Sequence, residues 1–345
     1  MRELTFLFSK LKVTAKRSKL PHRTFTATPG LHAPMAVTRV PSLTRLASAQ
    51  LTELEPKELQ MGIFDWAGTT LDAHCLAPVD ILIAVFKKQG IAIFPAEARM
   101  HMGLPKDEHC RKIFKLPTVT SQFLASKKRL PNEEDVQKLY ADFPLIEAEI
   151  LQKYSKLIPG AKEAVQALRK MGLKIGSTTG YPERMLNILK PLAKEQGYDP
   201  DWSVASDSEK NFGRPNPHMI FEIMRKLNVN LPGTVFKVDD APVGIGEILS
   251  AEGWGIGMYG YGNGTGIESL EQLSSMPKSE LEARQENAKK VLLLSGAHYV
   301  IKGPEALLEV VEDINERMAV GESPISELIS EKQKPIFLYP RARAF

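Results

Sequence analysis

Polar residues of the types that transfer phosphoryl groups follow three apolar runs of the sequence. Asp65 ends the run Met61-Gly62-Ile63-Phe64, the hydroxyl-rich Ser177-Thr178-Thr179-Gly180 ends a second run, and Asp239-Asp240 ends a third. An aspartate carboxylate is a nucleophile that attacks phosphorus and forms an acyl phosphate. For a lone Asp65, the simpler interpretation is a turn-forming residue at the end of a strand. The other polar groups favour a catalytic interpretation.

These groups predict a metal site beside an anion site. Carboxylates at Asp65 and Asp240 repel each other unless a cation lies between them, and Mg²⁺ prefers such oxygen ligands. Thr179 has a hydroxyl that can donate to phosphoryl oxygens. Arg214, in Gly213-Arg214-Pro215 at a predicted helix start, can balance the charge on those oxygens. We therefore expect a Mg²⁺-dependent phosphoryl-transfer site with Asp65 as its nucleophile.

The elements around these residues must bring the strand ends together. Short apolar runs alternate with amphipathic helical patterns, which predicts an α/β fold with a doubly wound parallel sheet and helices on both faces. The carboxyl ends of parallel strands share one edge of the sheet, where ligands bind. The predicted strands are 59–64, 173–178, 202–204, 234–238, 254–258 and 298–301, and the predicted core helices include 161–171, 182–196, 217–227, 278–292 and 304–318.

One long stretch has no strand pattern. Within residues 74–155, a helix is predicted over 77–88, with Ile81, Val85 and Phe86 on one face. A second helix start is predicted at 131–135, where acids occupy the first turn. We interpret 74–155 as a helical cap domain inserted into a core domain formed by residues 58–73 and 156–320.

The charge of the chain is concentrated at its N-terminus. Residues 1–52 contain nine Lys or Arg and one acid, a net charge of +8, whereas the whole chain carries +4, so the remainder carries −4. Residues 1–57 are also rich in Ser and Thr, which is typical of an organelle transit peptide. We expect a mitochondrial address, with plastid and cytoplasm as alternatives, although a basic arm without any address has the same composition. We expect residues 321–345, which contain three prolines, to be loosely ordered.

Composition excludes several classes of protein. The 43% hydrophobic and 25% charged residues are typical of a soluble globular protein, and no apolar run is long enough to cross a bilayer. An acidic body argues against nucleic-acid binding. The two cysteines favour a reduced compartment over a disulfide scaffold. The expected partner is a small-molecule substrate.

The four polar groups, in this order and with a helical insertion after the first, resemble the haloacid dehalogenase superfamily. The resemblance covers roughly residues 58–318 and implies a Rossmann-like core with an inserted cap. Most phosphatases of that superfamily have a second aspartate two residues after the nucleophile, which protonates the leaving oxygen. This chain has Ala67 there. Loss of such a general acid costs a factor of about 10²–10⁴ for an alkoxide leaving group, so a different leaving group is expected.

Three stretches more closely resemble the phosphonoacetaldehyde hydrolase family of that superfamily: 64–70, 102–109 and 176–181. The resemblance implies that Lys106 forms a Schiff base with the substrate aldehyde, so that the carbon leaves phosphorus as an enamine. The implied products are acetaldehyde and phosphate. Without the resemblance, Lys106 would be interpreted as a solvated lysine at a helix end.

Further roles rest on the resemblance alone. Ala67 contributes its backbone carbonyl to Mg²⁺ beside Asp65 and Asp240, and Asp239 is a further candidate ligand. Homodimerisation through the cap is also implied. The residues that would bind the substrate or assist catalysis are Cys75, Met102, Gly103, His109, Gly180 and Tyr181. The simpler alternatives are packing for Cys75 and Met102, a surface position for His109, and capping of the next helix by Tyr181.

The chain departs from the family pattern at several positions. The family has Gly then Asp at the acidic strand end, followed four residues later by a second Asp. Here Asp239 occupies the Gly position and Gly244 the later Asp position. Pro105, Asn216 and His218 also differ from the pattern. Two alternatives therefore stay open: a hydrolase of another phosphonate or phosphate ester, and a non-catalytic member of the family.

Overall fold

The computed structural model describes residues 57–208 and 213–325. Nearly all of the predicted transit peptide, and the tail beyond residue 325, lie outside the described residues. The described part contains a six-stranded parallel sheet in the order β3-β2-β1-β4-β5-β6. Its strands are β1 Met61–Phe64, β2 Lys174–Thr178, β3 Trp202–Val204, β4 Val235–Asp239, β5 Trp254–Met258 and β6 Tyr299–Ile301. The predicted doubly wound α/β fold is confirmed.

The register of the sheet aligns the strand ends that carry polar residues. Phe64 of β1 lies opposite Ser177 of β2 and Val238 of β4. The residues that follow these three positions therefore emerge side by side at the carboxyl edge, as the parallel arrangement requires. Asp239 is the last residue of β4, so this strand extends one residue further than the pattern 234–238 predicted.

Helices cover both faces of the sheet, because successive side chains of β1 point to opposite faces and are buried on both. Met61 and Ile63 pack into one hydrophobic cluster, whereas Phe64 packs into another on the opposite face. The core helices are α7 Ala161–Lys170, α8 Glu183–Glu195, α9 His218–Lys226, α10 Pro242–Ser250, α11 Leu270–Ser275, α12 Lys278–Leu294 and α13 Leu307–Ala319. The helix after Arg214 begins only at His218, so Arg214 lies in the preceding turn rather than at the helix start that the sequence predicted.

The insertion between β1 and β2 is helical, as predicted. Its helices are α1 Leu76–Lys88, α2 Pro95–Arg99, α3 Lys106–Ile113, α4 Pro117–Lys127, α5 Glu133–Ala141 and α6 Glu147–Lys153. The predicted start at 131–135 is confirmed, since Asn132 caps α5 and exchanges hydrogen bonds with Asp135. None of the helices among the described residues is long and apolar enough to cross a membrane.

Two chain segments connect the insertion to the core, and they run side by side. Asp72 N donates to Lys156 O at 3.1 Å, and Ile158 N donates to Thr70 O at 2.9 Å. The Asp72 carboxylate also accepts from Leu76 N and Ala77 N, both at 3.0 Å, and so holds the N-terminus of α1. Burial raises the pKa of this carboxyl to about 7. The connection is thus a narrow paired ribbon anchored at the start of α1.

Candidate active site

Asp65 follows β1 directly and faces a guanidinium. Its backbone N donates to Val238 O at 3.0 Å, which continues the pairing of β1 with β4. Arg214 Nη2 donates to Asp65 Oδ1 at 2.8 Å. Burial, and next the charge of Asp239, raise the pKa of Asp65 to about 6 in spite of that contact. The contact with Arg214 therefore does not fully offset the effect of burial and of Asp239 on this carboxylate.

Arg214 is held from behind by a buried polar network. Its Nη2 also donates to Thr178 Oγ1 at 2.8 Å, and its Nε donates to Glu247 Oε2 at 2.9 Å. Lys237 Nζ lies 2.5 Å from the same Glu247 oxygen. These contacts use separate N–H donors of one planar guanidinium, and they fix the orientation of the group that faces Asp65.

Sequence reasoning missed Lys237 and Glu247. Both are fully buried: Lys237 lies on β4, and Glu247 lies on the apolar helix α10. A lysine inside the run Val235-Phe236-Lys237-Val238 was the available signal, because a buried charge requires a partner.

Three carboxylates form a cluster at the carboxyl edge of the sheet. One oxygen each of Asp65, Asp239 and Asp240 lie within 4.8 Å of one another, and all three residues are buried. Burial raises the pKa of Asp240 to about 8, with further contributions from the charges of Asp65 and Asp239. A hard divalent cation would relieve this repulsion and favour the ionised form of the acids. The donor set fits Mg²⁺.

The turn after Asp65 is shaped to admit Asp240. Gly68 has φ +82°, and a Cβ atom there would lie 2.6 Å from Asp240 Oδ2. Cys75 Sγ donates to that same oxygen at 3.4 Å. Ala67 lies in this turn and borders the site. Because alanine has no titratable group, the turn offers no general acid at the position where most phosphatases of the superfamily have one.

Asp239 and Gly244 are linked by space. A Cβ atom on Gly244 would lie 1.9 Å from Asp239 Oδ2, so the aspartate occupies the volume in which a side chain at 244 would begin. Asp239 Oδ2 lies 2.8 Å from Lys237 Nζ and 3.5 Å from Arg214 Nη1. Lys237, and next Arg214, hold the pKa of Asp239 below its usual value against the opposing effect of burial. The two departures from the family pattern are therefore linked: Asp239 fits only because residue 244 has no side chain.

The cap contributes a buried lysine. Lys106 is the first residue of α3, is 3% exposed, and has its ammonium 5.0 Å from the centre of the Tyr181 ring. Within the part of the chain that the structure describes, no carboxylate forms an ion pair with it. Burial lowers the pKa of Lys106 to about 8. It is therefore not the solvated lysine of the simpler interpretation.

His109 lies one turn beyond Lys106 on the same helix. The side chain is fully buried, so the alternative of a surface histidine is wrong. Burial, and next the charge of Lys106, hold the pKa of His109 well below its ordinary value. A neutral imidazole thus lies on the lysine's helix, one turn from the amine.

The predicted residues from core and cap enclose one cavity of about 20 Å³, room for one or two water molecules. Cap and core touch there through backbone, because a Cβ atom on Gly180 would lie 2.7 Å from Gly103 O. The lining residues are Asp65, Ala67, Cys75, Pro78, Met102, Gly103, Lys106, Thr179, Gly180, Tyr181, Arg214 and Asp240. Of the residues predicted from sequence, Asp239 and His109 lie behind this lining. The structure thus closes the cap over Asp65.

Comparisons with known proteins agree with this geometry. A family model described as haloacid dehalogenase-like hydrolase matches residues 63–251. The chain is 38% identical over 260 residues to the phosphonoacetaldehyde hydrolase of Bacillus cytotoxicus, covering 75% of this chain and 98% of that protein. It is 40% identical over 263 residues to the phosphonoacetaldehyde hydrolase of Klebsiella pneumoniae, covering 76% and 97%. A phosphonoacetaldehyde hydrolase-like protein of Oleispira antarctica matches with TM-score 0.74 and 38% identity, covering 77% of this chain and 96% of that one.

The exchange of Asp239 and Gly244 predicts a strong coupling between these positions. Gly244→Asp should lower the free energy of unfolding by at least about 1–3 kcal/mol, because the new Cβ atom collides with Asp239. Asp239→Gly should also destabilise, because it removes a buried partner of Lys237. The double variant Asp239→Gly/Gly244→Asp should be more stable than the sum of the two single effects by at least about 1 kcal/mol. Urea unfolding of the four proteins measures the cycle.

The matched control lies two residues further along α10. Gly246→Ala places a Cβ atom 3.3 Å from Pro215 Cβ, a tight contact that a shift of a few tenths of an ångström relieves, so its effect should stay under about 1 kcal/mol. Additive effects of Asp239→Gly and Gly244→Asp would contradict the exchange.

Proposed function

Because the chain belongs to the phosphonoacetaldehyde hydrolase family of haloacid dehalogenase-like hydrolases, we propose that it hydrolyses phosphonoacetaldehyde to acetaldehyde and phosphate. The observation that carries the proposal is the buried Lys106, whose ammonium has no carboxylate partner in the described ranges and which lines the same cavity as Asp65. An amine enclosed with a carboxylate nucleophile can activate an aldehyde on the group that leaves phosphorus.

The amine has to act before the carbon–phosphorus bond breaks. Neutral Lys106 adds to the aldehyde carbon, water leaves, and the resulting imine takes up a proton to become an iminium. The adjacent His109 and the hydroxyl of Tyr181 are placed to move protons during these steps. The iminium then accepts the electron pair of the carbon–phosphorus bond, so the carbon leaves as an enamine rather than as a bare carbanion.

Asp65 attacks phosphorus as that bond breaks and becomes an aspartyl phosphate. Arg214 and Thr179 balance the charge on the phosphoryl oxygens from the core side. The enamine is protonated on carbon, and hydrolysis of the imine releases acetaldehyde and restores Lys106. Water hydrolyses the aspartyl phosphate and restores Asp65. Because the leaving group is carbon attached to an electron sink, no acid is required at position 67.

Asp65, Asp240 and the Ala67 carbonyl would hold Mg²⁺, and Asp239 completes the acidic cluster behind them. Bound Mg²⁺ supplies positive charge that offsets the repulsion between Asp65 and the phosphonate. This chain's residues supply the orientation. Arg214 aligns the nucleophile through its contact with Asp65 Oδ1. Cys75 and Met102 border the cavity and exclude water from the imine.

Two features of the whole protein are also proposed. The basic composition of residues 1–57 supports a mitochondrial transit peptide, and the exposed apolar side chains Phe94 and Leu145 on the cap support a homodimer. Fusion of residues 1–57 to a fluorescent protein should direct it to mitochondria, and plastid or cytoplasmic fluorescence would overturn that address.

Light scattering of the purified protein should give twice the chain mass, and a single chain mass would overturn the dimer.

Borohydride trapping tests the roles of Lys106 and Asp65 separately. In the wild type, reduction during turnover should attach an ethyl group to Lys106, since the enamine has already lost phosphorus. In Asp65→Asn the imine forms but phosphorus is not attacked, so the trapped group should retain the phosphonate. Lys106→Arg should trap nothing, and both variants should lose acetaldehyde release by a factor on the order of 10⁴. Intact-mass and peptide mass spectrometry identify the adducts.

Lys112→Arg is the matched control, because Lys112 lies on the same helix with a half-exposed side chain and should leave rate and adduct unchanged. Full turnover in Lys106→Arg would reject the imine. A faster hydrolysis of an ordinary phosphate monoester than of phosphonoacetaldehyde would reject the substrate.

The pH dependence follows from the lowered pKa of Lys106. Only the neutral amine attacks the aldehyde, so kcat/KM should rise with pH and level off above a pKa of about 8. At pH 7.5 about a quarter of such an amine is neutral, against roughly one part in a thousand at the usual lysine value. Acetaldehyde release between pH 6 and pH 10 at saturating Mg²⁺ gives the profile. A profile that still rises at pH 10 without levelling off would show that Lys106 is not shielded by the cap in solution.

A further inference from the structure

A glycine-rich loop of the core lies between the cap and the acidic cluster. Its sequence is Gly260-Tyr261-Gly262-Asn263-Gly264-Thr265-Gly266, which we call the glycine loop, and it follows strand β5. Four glycines in seven residues give the unfolded loop large conformational freedom, so external contacts must fix its conformation. Core helix α12 holds both ends of the loop, since Gln285 Nε2 donates to Gly260 O at 3.0 Å and Arg284 Nη1 donates to Gly266 O at 3.1 Å. Asn263, in the middle of the loop, has contacts on two further sides, the cap and the acidic cluster.

Arg99, at the end of cap helix α2, supplies the contacts from the cap. Its Nη1 donates to Asn263 Oδ1 at 2.9 Å and to His74 O at 2.8 Å, and its Nη2 donates to Ile267 O. Asn263 Nδ2 donates back to Arg99 O at 3.3 Å. The guanidinium is buried, and in the described ranges all its hydrogen bonds go to neutral oxygens. It therefore joins the cap, the first connection and the glycine loop at one point.

Asp240 supplies the contact from the acidic cluster. Asn263 N donates to Asp240 Oδ2 at 2.6 Å. The loop backbone lies so close that a Cβ atom on Gly262 would be 2.6 Å from Asp240 Cβ. The same residue, Asn263, thus contacts the cap through its side chain and the carboxylate through its backbone.

We propose that Arg99 and Asn263 are positioning residues that couple closure of the cap to the orientation of the Asp240 carboxylate. When the cap is closed, Arg99 orders the glycine loop, and the loop holds Asp240 Oδ2 through the Asn263 N–H. When the cap opens to admit a substrate, Arg99 leaves, and Asn263 loses the side-chain contact that orders the middle of the loop. The acidic cluster is then complete only under a closed cap. This inference deepens the proposed function, because it rests on Asp240 as a ligand of the divalent cation.

The backbone of Asn263 offers a matched pair of variants. Asn263→Ala removes the amide that contacts Arg99 but retains the N–H that Asp240 accepts. Asn263→Pro removes both. The backbone suits proline because residue 263 opens a 3₁₀ turn and Gly262 before it is extended, with φ −86° and ψ 172°, but the proline Cδ atom takes the place of the N–H and displaces Asp240 Oδ2, which lies 2.6 Å from Asn263 N. The dissociation constant of Mn²⁺, measured by electron paramagnetic resonance without any substrate, should rise roughly tenfold to a hundredfold in the proline variant. The alanine variant should lose less.

Arg99 is tested by its dependence on Asn263. Arg99→Met, or Arg99→Lys if the methionine variant does not fold, should weaken Mn²⁺ binding. Added to Asn263→Pro, it should have no further effect, because the path through the loop is already broken. The control is Arg184→Met, which breaks another cap–core contact, from Arg184 Nε to Glu147 Oε1 at 3.0 Å, and touches no part of the loop. Arg184→Met should leave Mn²⁺ binding unchanged both alone and beside Asn263→Pro.

The outcomes separate the positioning role from a merely structural one. Equal weakening of Mn²⁺ binding by Arg99→Met and Arg184→Met would mean that only general loosening of the cap matters, and would overturn the proposal. Multiplying effects of Arg99→Met and Asn263→Pro would overturn it as well. Because Mn²⁺ binding requires no turnover, a protein that fails to release acetaldehyde but shows these affinities would reject the proposed substrate and retain the positioning role.

Discussion

The burial of like charges at the carboxyl ends of β1 and β4 is the constraint on which the rest of the site depends. The buried acids there are Asp65, Asp239, Asp240 and Glu247, and the buried bases are Arg214 and Lys237. The four acids outnumber the two bases by two, and burial together with this excess of negative charge raises the pKa values of Asp65 and Asp240. A divalent cation would balance the excess. Hydrophobic packing of the sheet has to offset the cost of burying these charges.

Burial shifts the pKa of the cap lysine in the opposite direction and lowers it. Desolvation disfavours the charged form of an acid and of an amine alike, so closure of the cap raises the pKa of Asp65 and lowers that of Lys106. Without the cap, Lys106 would be protonated and unreactive at neutral pH. In the proposed mechanism, burial thus prepares the amine on the cap, while Arg214 and a bound divalent cation would keep Asp65 ionised.

The sequence predicted the sheet, the insertion and the position of Asp65 at the carboxyl edge because each has a local signature. Apolar runs marked the strands, and Asp65 and Asp240 stand directly after them. Arg99 and Asn263 have no such signature, since the two residues lie 164 positions apart and meet only when the cap is folded onto the core. Glu247 was equally hidden: a single acid on an apolar helix gives no sign of which base it faces. The alternating glycines of the glycine loop are visible in the sequence, but the residues that the loop contacts are not.

The placement of β1 has a consequence for how the molecule assembles. β1 is central in the sheet, yet its partner β2 comes after the entire cap, and the hydrogen bond from Trp66 Nε1 to Ser177 joins residues 111 positions apart. β4 and β5, in contrast, pair across about 20 residues, and closing the longer loop costs roughly 1.5 kcal/mol more in chain entropy. Contacts that close shorter loops form sooner, so the pair β4–β5 and helix α10 should organise before β1 joins them. Asp65 is then among the last residues to reach its place, and a complete chain that refolds forms the acidic strand end of β4 before Asp65 joins it.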